Sequence, residues 1–349
     1  MGTDEQYMKR CFELASNGLG QVSPNPLVGC VVVRKGKIIG EGYHRQYGGP
    51  HAEPNAIRSV SHNEWLKEST LYVNLEPCAH HGKTPPCADL IIASQIPRVV
   101  ISVKDPFPLV KGRGIEKLIQ AGVEVKTGVL EKEGEFLNRR FLTFHRKQRP
   151  YILLKWAQTA DGFMDRIKSD KKHKPLKISN KTNSTLVHTW RSQEDAICVG
   201  RKTVEADNPS LTVRYVTGSQ PVRIILGRNV KPDQSRAVLD DSVKTLVYNQ
   251  NLEEVQGNTH WIKVTSEESF LSEVLTDLYQ KGIQSVLVEG GAQLHHSFLG
   301  TDLWDEIRIT TSDQYIGEGV AAPTVNQNYQ DEFATGSGNK VGIIYRDSP

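Results

Sequence analysis

The sequence predicts two consecutive α/β domains, and three observations support this prediction. The chain has 349 residues, which is too long for one typical hydrophobic core and long enough for two domains. In both halves, short apolar runs alternate with amphipathic segments, a pattern typical of helices layered on a sheet. A basic run, 145–149, ends at Pro150 and a strong strand pattern follows. We therefore place the domains at residues 1–148 and 149–349.

The N-terminal half contains a regular series of predicted elements. Apolar spacing predicts a helix at 5–16, and two apolar runs around Lys35-Gly36-Lys37 predict a hairpin within 25–44. The remaining predictions are helices beginning at 51 and 87, strands at 69–78 and 98–103, and a helix–glycine–strand segment at 114–125.

The C-terminal half alternates in the same way. Strand patterns occur at 154–162, 195–200, 221–227, 244–249, 259–264 and 285–291, and helical patterns at 180–193 and 267–281. Segment 165–177 is lysine-rich and predicts an exposed loop, and segment 200–214 predicts a polar loop too long to be a mere connection.

The stretch 287–299 combines an apolar strand, an acid, two glycines and a helix. Such glycines let a backbone approach a ligand, and a helix N-terminus favours phosphate. The stretch lacks the G-x-G-x-x-G pattern, so it does not support a Rossmann domain. An ordinary strand-to-helix turn remains the alternative.

Charge and hydropathy limit the classes of partner. The chain has 43 Lys and Arg against 40 Asp and Glu, a balance that disfavours a nucleic-acid or membrane-surface partner. The longest apolar run, 28–33, is far shorter than the roughly 20 residues of a spanning helix, and the N-terminus lacks the apolar core of a secretion signal. We expect a cytoplasmic, homo-oligomeric enzyme that acts on a small molecule.

Four residues together have the composition of a hydrolytic zinc site. His51, Cys78 and Cys87 would supply three ligands and leave a fourth position for water, whose pKa zinc lowers from about 15.7 to about 7. Glu53 lies two residues after His51 and would carry protons. If Cys78 opens a helix, the helix dipole favours its thiolate form.

The cysteine spacing differs from the common zinc-deaminase pattern. That pattern is H-x-E followed by P-C-x-x-C, whereas here eight residues separate the two cysteines. The intervening loop offers His80 and His81 as alternative ligands. A closed structural zinc site, or no metal, would leave Glu53 without a role.

Five motifs identify a resemblance to the bifunctional riboflavin-biosynthesis deaminase/reductase family, in which this long loop is normal. They are PNPLVGCVVV, GEGYH, GGPHAE, NLEPCAHHGKTPPC and DPFPLVKGRG. The resemblance implies a cytidine-deaminase-like three-layer αβα domain with one zinc per chain on His51, Cys78 and Cys87, and with Glu53 as proton carrier. The implied substrate is 2,5-diamino-6-(ribosylamino)pyrimidin-4-one 5′-phosphate, and the implied contacts to it are Asn25, His44, His80 and Lys83.

For the second half, the resemblance implies a dihydrofolate-reductase-like domain that uses NADPH to reduce the ribosyl group to ribityl. The implied cofactor residues are Ala157, Thr203, Asp207, Gly291, Ala292, Gln293, Leu294, His295, His296 and Ser297. The implied substrate residues are Arg191, Leu211, Arg214 and Glu289. Guanidinium groups bind phosphate oxygens bidentately, so the two arginines suit a ribose phosphate.

Three features depart from the family pattern. Lys177 stands where an aromatic residue is frequent, Arg228 where a small residue is common, and residues 310–323 replace the usual stretch. These changes leave the strength of NADPH binding open, although the two cations would also suit the 2′-phosphate of NADPH. Two other functions remain as alternatives: a deaminase of free or tRNA bases with an inert C-terminal domain, and a non-catalytic nucleotide-binding protein with a structural zinc.

Overall fold

The computed structural model describes residues 2–79, 85–107, 111–167, 176–230, 233, 235–266, 268–336 and 338–347. The chain divides into two compact units between Gln148 and Arg149. Each unit has its own sheet and its own hydrophobic clusters. Within the described residues, no helix combines the length and apolar character needed to cross a membrane.

The N-terminal unit is built on one five-stranded sheet. Its strands are β1 (Gly29–Arg34), β2 (Lys37–Tyr43), β3 (Thr70–Leu75), β4 (Arg98–Val103) and β5 (Glu124–Lys126), in the order β2-β1-β3-β4-β5. Its helices are α1 (Thr3–Ser16), α2 (Ala52–Arg58), α3 (Cys87–Ala93), α4 (Arg113–Gln120), α5 (Glu131–Leu137) and α6 (Arg139–Lys147). The β3, β4 and β5 strands are parallel, and β1 runs antiparallel to its neighbours.

Alternate residues of the strands feed two separate clusters, as the period of two along a strand requires. On one face, Met8 and Cys11 of α1 pack with Val31 of β1. On the other face, Ala56 of α2 packs in the cluster that contains Val32, together with residues of α3 and α4. The unit is therefore the expected three-layer αβα arrangement.

Close packing of α2 on β2 depends on glycine. A Cβ atom at Gly42 would collide with the backbone nitrogen of Ala56. A side chain at Gly40 would also press against the backbone of α2. The short helix can therefore lie directly on the strand, with His51 immediately before its first turn and Glu53 within that turn.

The C-terminal unit is built on a ten-stranded mixed sheet and a two-stranded sheet. Its strands are β6 (Tyr151–Gln158), β7 (Phe163–Asp165), β8 (Ala196–Gly200), β9 (Val222–Leu226), β10 (Thr245–Asn249), β11 (Glu254–Gln256), β12 (Thr259–Lys263), β13 (Ser285–Val288), β14 (Glu306–Ser312), β15 (Val320–Ala321), β16 (Asp331–Ala334) and β17 (Asn339–Tyr345). Its helices are α7 (Lys181–Gln193), α8 (Arg201–Asp207), α9 (Phe270–Gln280) and α10 (Ala292–Leu299).

The large sheet has the order β11-β12-β10-β9-β8-β13-β6-β14-β17-β16. Its central strands are parallel, whereas β11, β17 and β16 pair antiparallel with their neighbours. Ile152 and Leu154 of β6 point into a cluster with α9 and α10, and Leu153 points into a cluster with α7. Helices therefore cover both faces of the sheet.

Most predicted elements of both halves are present, with two corrections. The segment 200–214 is predicted to be a polar loop, but its first part forms helix α8. No helix-breaking residue interrupts that part before Asn208 and Pro209. Cys78 does not open a helix, since it lies in the segment between β3 and α3. The predicted lysine-rich loop 165–177 lies mostly outside the described residues.

Candidate active sites of the two units

The three predicted metal ligands come together at one end of the N-terminal sheet. His51 precedes the first residue of α2, Cys78 follows β3, and Cys87 is the first residue of α3. His51 Nδ1 lies 3.3 Å from Cys87 Sγ and 3.7 Å from Cys78 Sγ. The ligand atoms all lie within 4.8 Å of one another.

These separations fit a tetrahedral zinc ion. Zinc binds sulfur at about 2.3 Å and imidazole nitrogen at about 2.0–2.1 Å, which places the two ligand atoms about 3.5–3.6 Å apart. The two nitrogen–sulfur distances of 3.3 and 3.7 Å lie on either side of that value. The donor set, two thiolates and one imidazole, is also one that zinc prefers.

Cys78 and Cys87 share a hydrogen bond that shifts the pKa values of their thiols in opposite directions. The backbone N–H of Cys87, at the start of α3, donates to Cys78 Sγ at 3.3 Å. A hydrogen bond from the Cys87 thiol lowers the pKa of Cys78 to about 4, and the same interaction raises the pKa of Cys87. Cys78 thus benefits from the N-terminus of α3 without belonging to the helix, and metal binding by both sulfurs would release the shared proton.

Glu53 is buried in the first turn of α2, with only 3% of its surface exposed. Burial raises the pKa of Glu53 to about 7, and the nearby Cys78 charge acts in the same direction. A carboxyl group with such a pKa can take up and release a proton near neutral pH. Glu53 therefore has the property required of a proton carrier.

Glu76 supports the cysteine segment, and the sequence analysis did not identify it. Its two carboxylate oxygens accept backbone N–H groups from Asp105, Gly112, Gly114 and Ile115, at 3.0–3.3 Å. These bonds tie the end of β3 to the start of α4. In the sequence, Glu76 could have been identified as a carboxylate that immediately follows a buried strand and precedes a candidate metal ligand by two residues.

His44 lies beside the metal ligands and orients Asn25. Its Nδ1 lies 2.9 Å from the Pro50 carbonyl oxygen, which can only accept, so Nδ1 carries the proton. Asn25 Nδ2 can only donate, so Nε2 of His44 accepts its hydrogen bond at 3.0 Å. Burial also lowers the pKa of His44. The other predicted contacts to the first substrate, His80 and Lys83, and the alternative ligand His81, lie outside the described residues.

The C-terminal unit contains a cavity of about 1510 Å³. Of the predicted cofactor residues, it is lined by Ala157, Thr203, Asp207, Gly291, Ala292, Gln293, Leu294 and Ser297. Gly290 and Gly291 form the turn between β13 and α10, and this turn brings bare backbone to the cavity. The volume exceeds the roughly 300–1,000 Å³ of a typical small-molecule pocket, so it is sufficient for a ligand as large as a dinucleotide.

Two predicted cofactor residues lie elsewhere. His295 is buried against the ring of Trp156, with ring centroids 5.1 Å apart. His296 Nδ1 donates within its own helix to the Ala292 carbonyl oxygen at 2.8 Å, because a carbonyl oxygen can only accept. Neither is among the described residues that line the cavity.

A charged cluster lies at the cavity and includes Lys155, which the sequence analysis missed. Lys155 and Glu289 both line the cavity. Burial lowers the pKa of Lys155, and the charge of Glu289 opposes this change. Burial would raise the pKa of Glu289, but Arg191 and Lys155 outweigh it and bring the pKa to about 2. In the sequence, Lys155 could have been identified as a lysine within the largely apolar strand β6.

Of the other predicted substrate residues, Leu211 and Arg214 follow α8 and Arg191 lies on α7. Leu211 is buried in the core at a positive φ of 53°. The backbone N–H of Arg214 donates to His188 Nδ1 at 2.9 Å, and its side chain is exposed and donates to Thr212 Oγ1 at 2.9 Å. Arg191, on the same helix as His188, pairs with Glu289 at 2.7 Å.

The positions that depart from the family pattern also lie near the cavity. Lys177 and Arg228 both line it, so two cations are present where the resemblance implies other residue types. Two interactions hold the stretch 310–323. The backbone N–H groups of Ile316 and Gly317 donate to the Asp161 carboxylate, and strand β15 pairs with β7.

Two protein families match the chain, and their matches fall in the two units. Residues 1–103 match the cytidine and deoxycytidylate deaminase zinc-binding region. Residues 150–334 match the RibD C-terminal domain. The first match contains all three candidate zinc ligands, and the second contains the cavity. These matches agree with the predicted fold class of both units.

Relatives match nearly the whole chain. The chain is 42% identical over 325 residues to the riboflavin biosynthesis protein RibD of Aquifex aeolicus, covering 91% of this chain and 89% of the relative. It is 42% identical over 331 residues to RibD of Bacillus amyloliquefaciens, covering 92% and 87%.

A solved structure from Thermotoga maritima, described as a diaminohydroxyphosphoribosylaminopyrimidine deaminase/5-amino-6-(5-phosphoribosylamino)uracil reductase, superposes with a TM-score of 0.87. It is 38% identical, and the match covers 98% of each chain. RibD of Acinetobacter baumannii gives a TM-score of 0.87 at 31% identity, over 99% of each chain. The chain therefore belongs to the RibD family of bifunctional riboflavin-biosynthesis deaminase/reductases.

Proposed function

We propose that the N-terminal unit hydrolytically removes an amino group from 2,5-diamino-6-(ribosylamino)pyrimidin-4-one 5′-phosphate, with one zinc held by His51, Cys78 and Cys87. The observation that carries this proposal is the convergence of these three donors beside a buried carboxylate. Zinc at this site would supply hydroxide near neutral pH, because it lowers the pKa of a bound water to about 7. The names of the relatives support the substrate class.

Glu53 carries the proton in this proposal. Its raised pKa of about 7 lets the carboxylate take a proton from the attacking water and hold it. The same carboxyl group then protonates the departing amino group, which leaves as ammonia. Asn25, held by His44, and Lys83 contact the substrate and orient it.

The C-terminal unit reduces the deaminated product, with NADPH in the 1510 Å³ cavity. NADPH supplies the hydride that converts the ribosyl group to ribityl, and the protein mainly orients the two reactants. The glycine turn before α10, together with Ala157, Thr203 and Asp207, holds the cofactor. Arg191, Leu211, Arg214 and Glu289 belong to the substrate end, where Lys155 places a further cation.

A cytoplasmic location and a homo-oligomeric assembly complete the proposal. Zinc binding requires Cys78 and Cys87 as free thiolates, and a reducing compartment maintains free thiols. Light scattering on the purified chain tests the assembly, and a monomer at working concentration would contradict it.

Replacement of either cysteine by serine tests the metal site. A protonated hydroxyl is a poor substitute for a thiolate, so Cys78→Ser and Cys87→Ser should each lower the zinc content well below one per chain. Ammonia release should fall with it. Cys30→Ser, in the core of the same unit, is the control for general loss of folding. Full zinc content and parent ammonia release in both ligand variants would contradict the proposed site.

A further inference from the structure

The segment that follows β14 is fastened to the turn that follows β6. Residues 313–319 join β14 to β15, and we call them the strap. Near the start of the strap, the backbone N–H of Ala160 donates to the Gln314 carbonyl oxygen at 2.8 Å. Beyond its end, the N–H of Ala322 donates to the Gly162 carbonyl oxygen at 2.8 Å, and β15 pairs with β7. The strap is therefore tied to the same turn on both sides.

Asp161 lies in that turn and holds the middle of the strap. Its Oδ2 accepts the backbone N–H groups of Ile316 at 3.0 Å and of Gly317 at 2.7 Å. Its Oδ1 accepts the hydroxyl of Thr159 at 2.6 Å, and this hydrogen bond lowers the pKa of the Asp161 carboxyl group. Both oxygens act as acceptors at once, which an ionised carboxylate can do and an amide cannot.

The fastened segments carry part of the cavity wall. Met164 and Asp165 of β7 and Val320 of β15 line the large cavity. The strap also reaches Lys177, which lines the cavity too, because Gln314 Nε2 donates to the Lys177 carbonyl oxygen at 3.2 Å. We call the four lining residues Met164, Asp165, Lys177 and Val320 the strap wall.

The strap wall needs support from its surroundings. Strands β7 and β15 form a sheet of only two strands, three and two residues long, and Val320 is 41% exposed. A two-stranded sheet is marginally stable by itself. Hydrogen bonds to an ionised acceptor are stronger than neutral ones, so the bonds to Asp161 are well suited to hold the wall. Asp161 is not among the described residues that line the cavity, and it therefore acts through the strap.

We infer that Asp161 is a positioning residue of the reductase, which fixes the strap wall so that the cavity has its NADPH-binding shape before the cofactor arrives. A protein whose binding-competent shape is only partly populated binds its ligand more weakly, in proportion to that population. The inference rests on the proposed reductase function and deepens it, because it assigns a determinant of cofactor affinity to a residue outside the cavity lining.

Replacement of Asp161 by asparagine tests the inference. Asparagine keeps the shape of the side chain, but it has one accepting oxygen and cannot accept from both Thr159 and the strap. The Kd for NADPH, measured by titration of the purified chain without substrate, should rise about tenfold, as it would if the strap wall were in place in about a tenth of the molecules. The KM for NADPH should rise in parallel. Because the chemical step is untouched, kcat at saturating NADPH and the KM for the deaminated product should stay near parent values.

Two further variants on the strap complete the test. Glu318→Gln is the matched control, because it removes a carboxylate charge from an exposed position of the strap, and it should keep the parent Kd for NADPH. Gln314→Ala shortens an exposed side chain and removes the tie to Lys177. It should raise the Kd for NADPH by about 2- to 12-fold, the contribution of one neutral hydrogen bond. This variant decides the matter if Asp161→Asn does not fold.

A parent Kd for NADPH in folded Asp161→Asn would overturn the inference, and so would an equal rise of the Kd in Glu318→Gln. Where Asp161→Asn does not fold, a parent Kd in Gln314→Ala would overturn it. A fall of kcat at saturating NADPH with an unchanged Kd would also do so, since it would place the effect in the chemical step. These results leave the reductase function intact, whereas a parent chain that binds no NADPH would overturn that function and the inference with it.

Discussion

Glu53 is a carboxylate that the fold withdraws from water almost completely. Burial of an ionisable group costs free energy unless a partner or a shift of its pKa compensates for it. Here the pKa of Glu53 rises to about 7, so its carboxyl group can take up and release a proton near neutral pH, as hydrolytic deamination requires. The cost of burial is therefore explained by a catalytic role more readily than by a structural one.

Replacement of Glu53 by glutamine should separate metal binding from catalysis. The amide keeps the shape of the side chain, and Glu53 is not among the three clustered donors, so the zinc content should stay at one per chain. Ammonia release should fall by about 10²- to 10⁴-fold, the usual contribution of a general acid–base group. Elemental analysis and an ammonia assay measure both quantities. Near-normal turnover in a zinc-loaded Glu53→Gln chain would contradict the assignment.

The sequence was sufficient to identify the three donors that the fold brings together, His51, Cys78 and Cys87, but not the charge pairs around the cavity. His51 and Glu53 are neighbours in one short motif, and both cysteines lie in a second one, so residue type and spacing identify them. The pair of Arg191 and Glu289 joins residues 98 positions apart. Only the folded chain shows that these two side chains meet, and that Lys155 lies near them.

Elements at the metal site are held by close backbone packing. A Cβ atom at Gly114, in α4, would collide with the carbonyl oxygen of Pro77, the residue before Cys78. Gly114 also donates its N–H to Glu76. The start of α4 and the cysteine segment therefore fit together only with glycine at this position.

Gly114→Ala should displace the cysteine segment. We expect a loss of stability of about 1–3 kcal/mol, as for other overpacked sites, together with weaker zinc binding. Thermal unfolding and zinc titration measure these effects. Gly112→Ala is the matched control, because Gly112 has open space around it and only the strain of a positive φ of 80°. Parent stability and zinc affinity in Gly114→Ala would show that this contact does not position Cys78.

Predictions of elements succeeded where the hydrophobic pattern was local. The hairpin of β1 and β2 turns at Lys35 and Gly36, both at positive φ, as the turn residues predicted. The sequence predicts a loop where α8 forms, because RKTVEAD is polar and has a single buried residue, Val204. Its amphipathic face is too narrow to be recognised without the sheet that it covers.

At the scale of the whole molecule, the candidate functions lie in separate units. All three clustered zinc donors belong to the N-terminal unit, and the large cavity belongs to the C-terminal unit. Within the described residues, the C-terminal unit offers no second cluster of this kind. The two reactions should therefore differ in their dependence on zinc.

Removal of zinc from the intact parent chain tests this account most directly. Ammonia release from the diaminopyrimidinone phosphate and NADPH consumption with the deaminated product are measured before chelation, after chelation and after zinc is restored. We predict that chelation abolishes ammonia release, that zinc restores it, and that NADPH consumption does not change. Ammonia release that persists in zinc-free protein, or a chain that never consumes NADPH, would contradict the account of a zinc deaminase joined to an independent reductase.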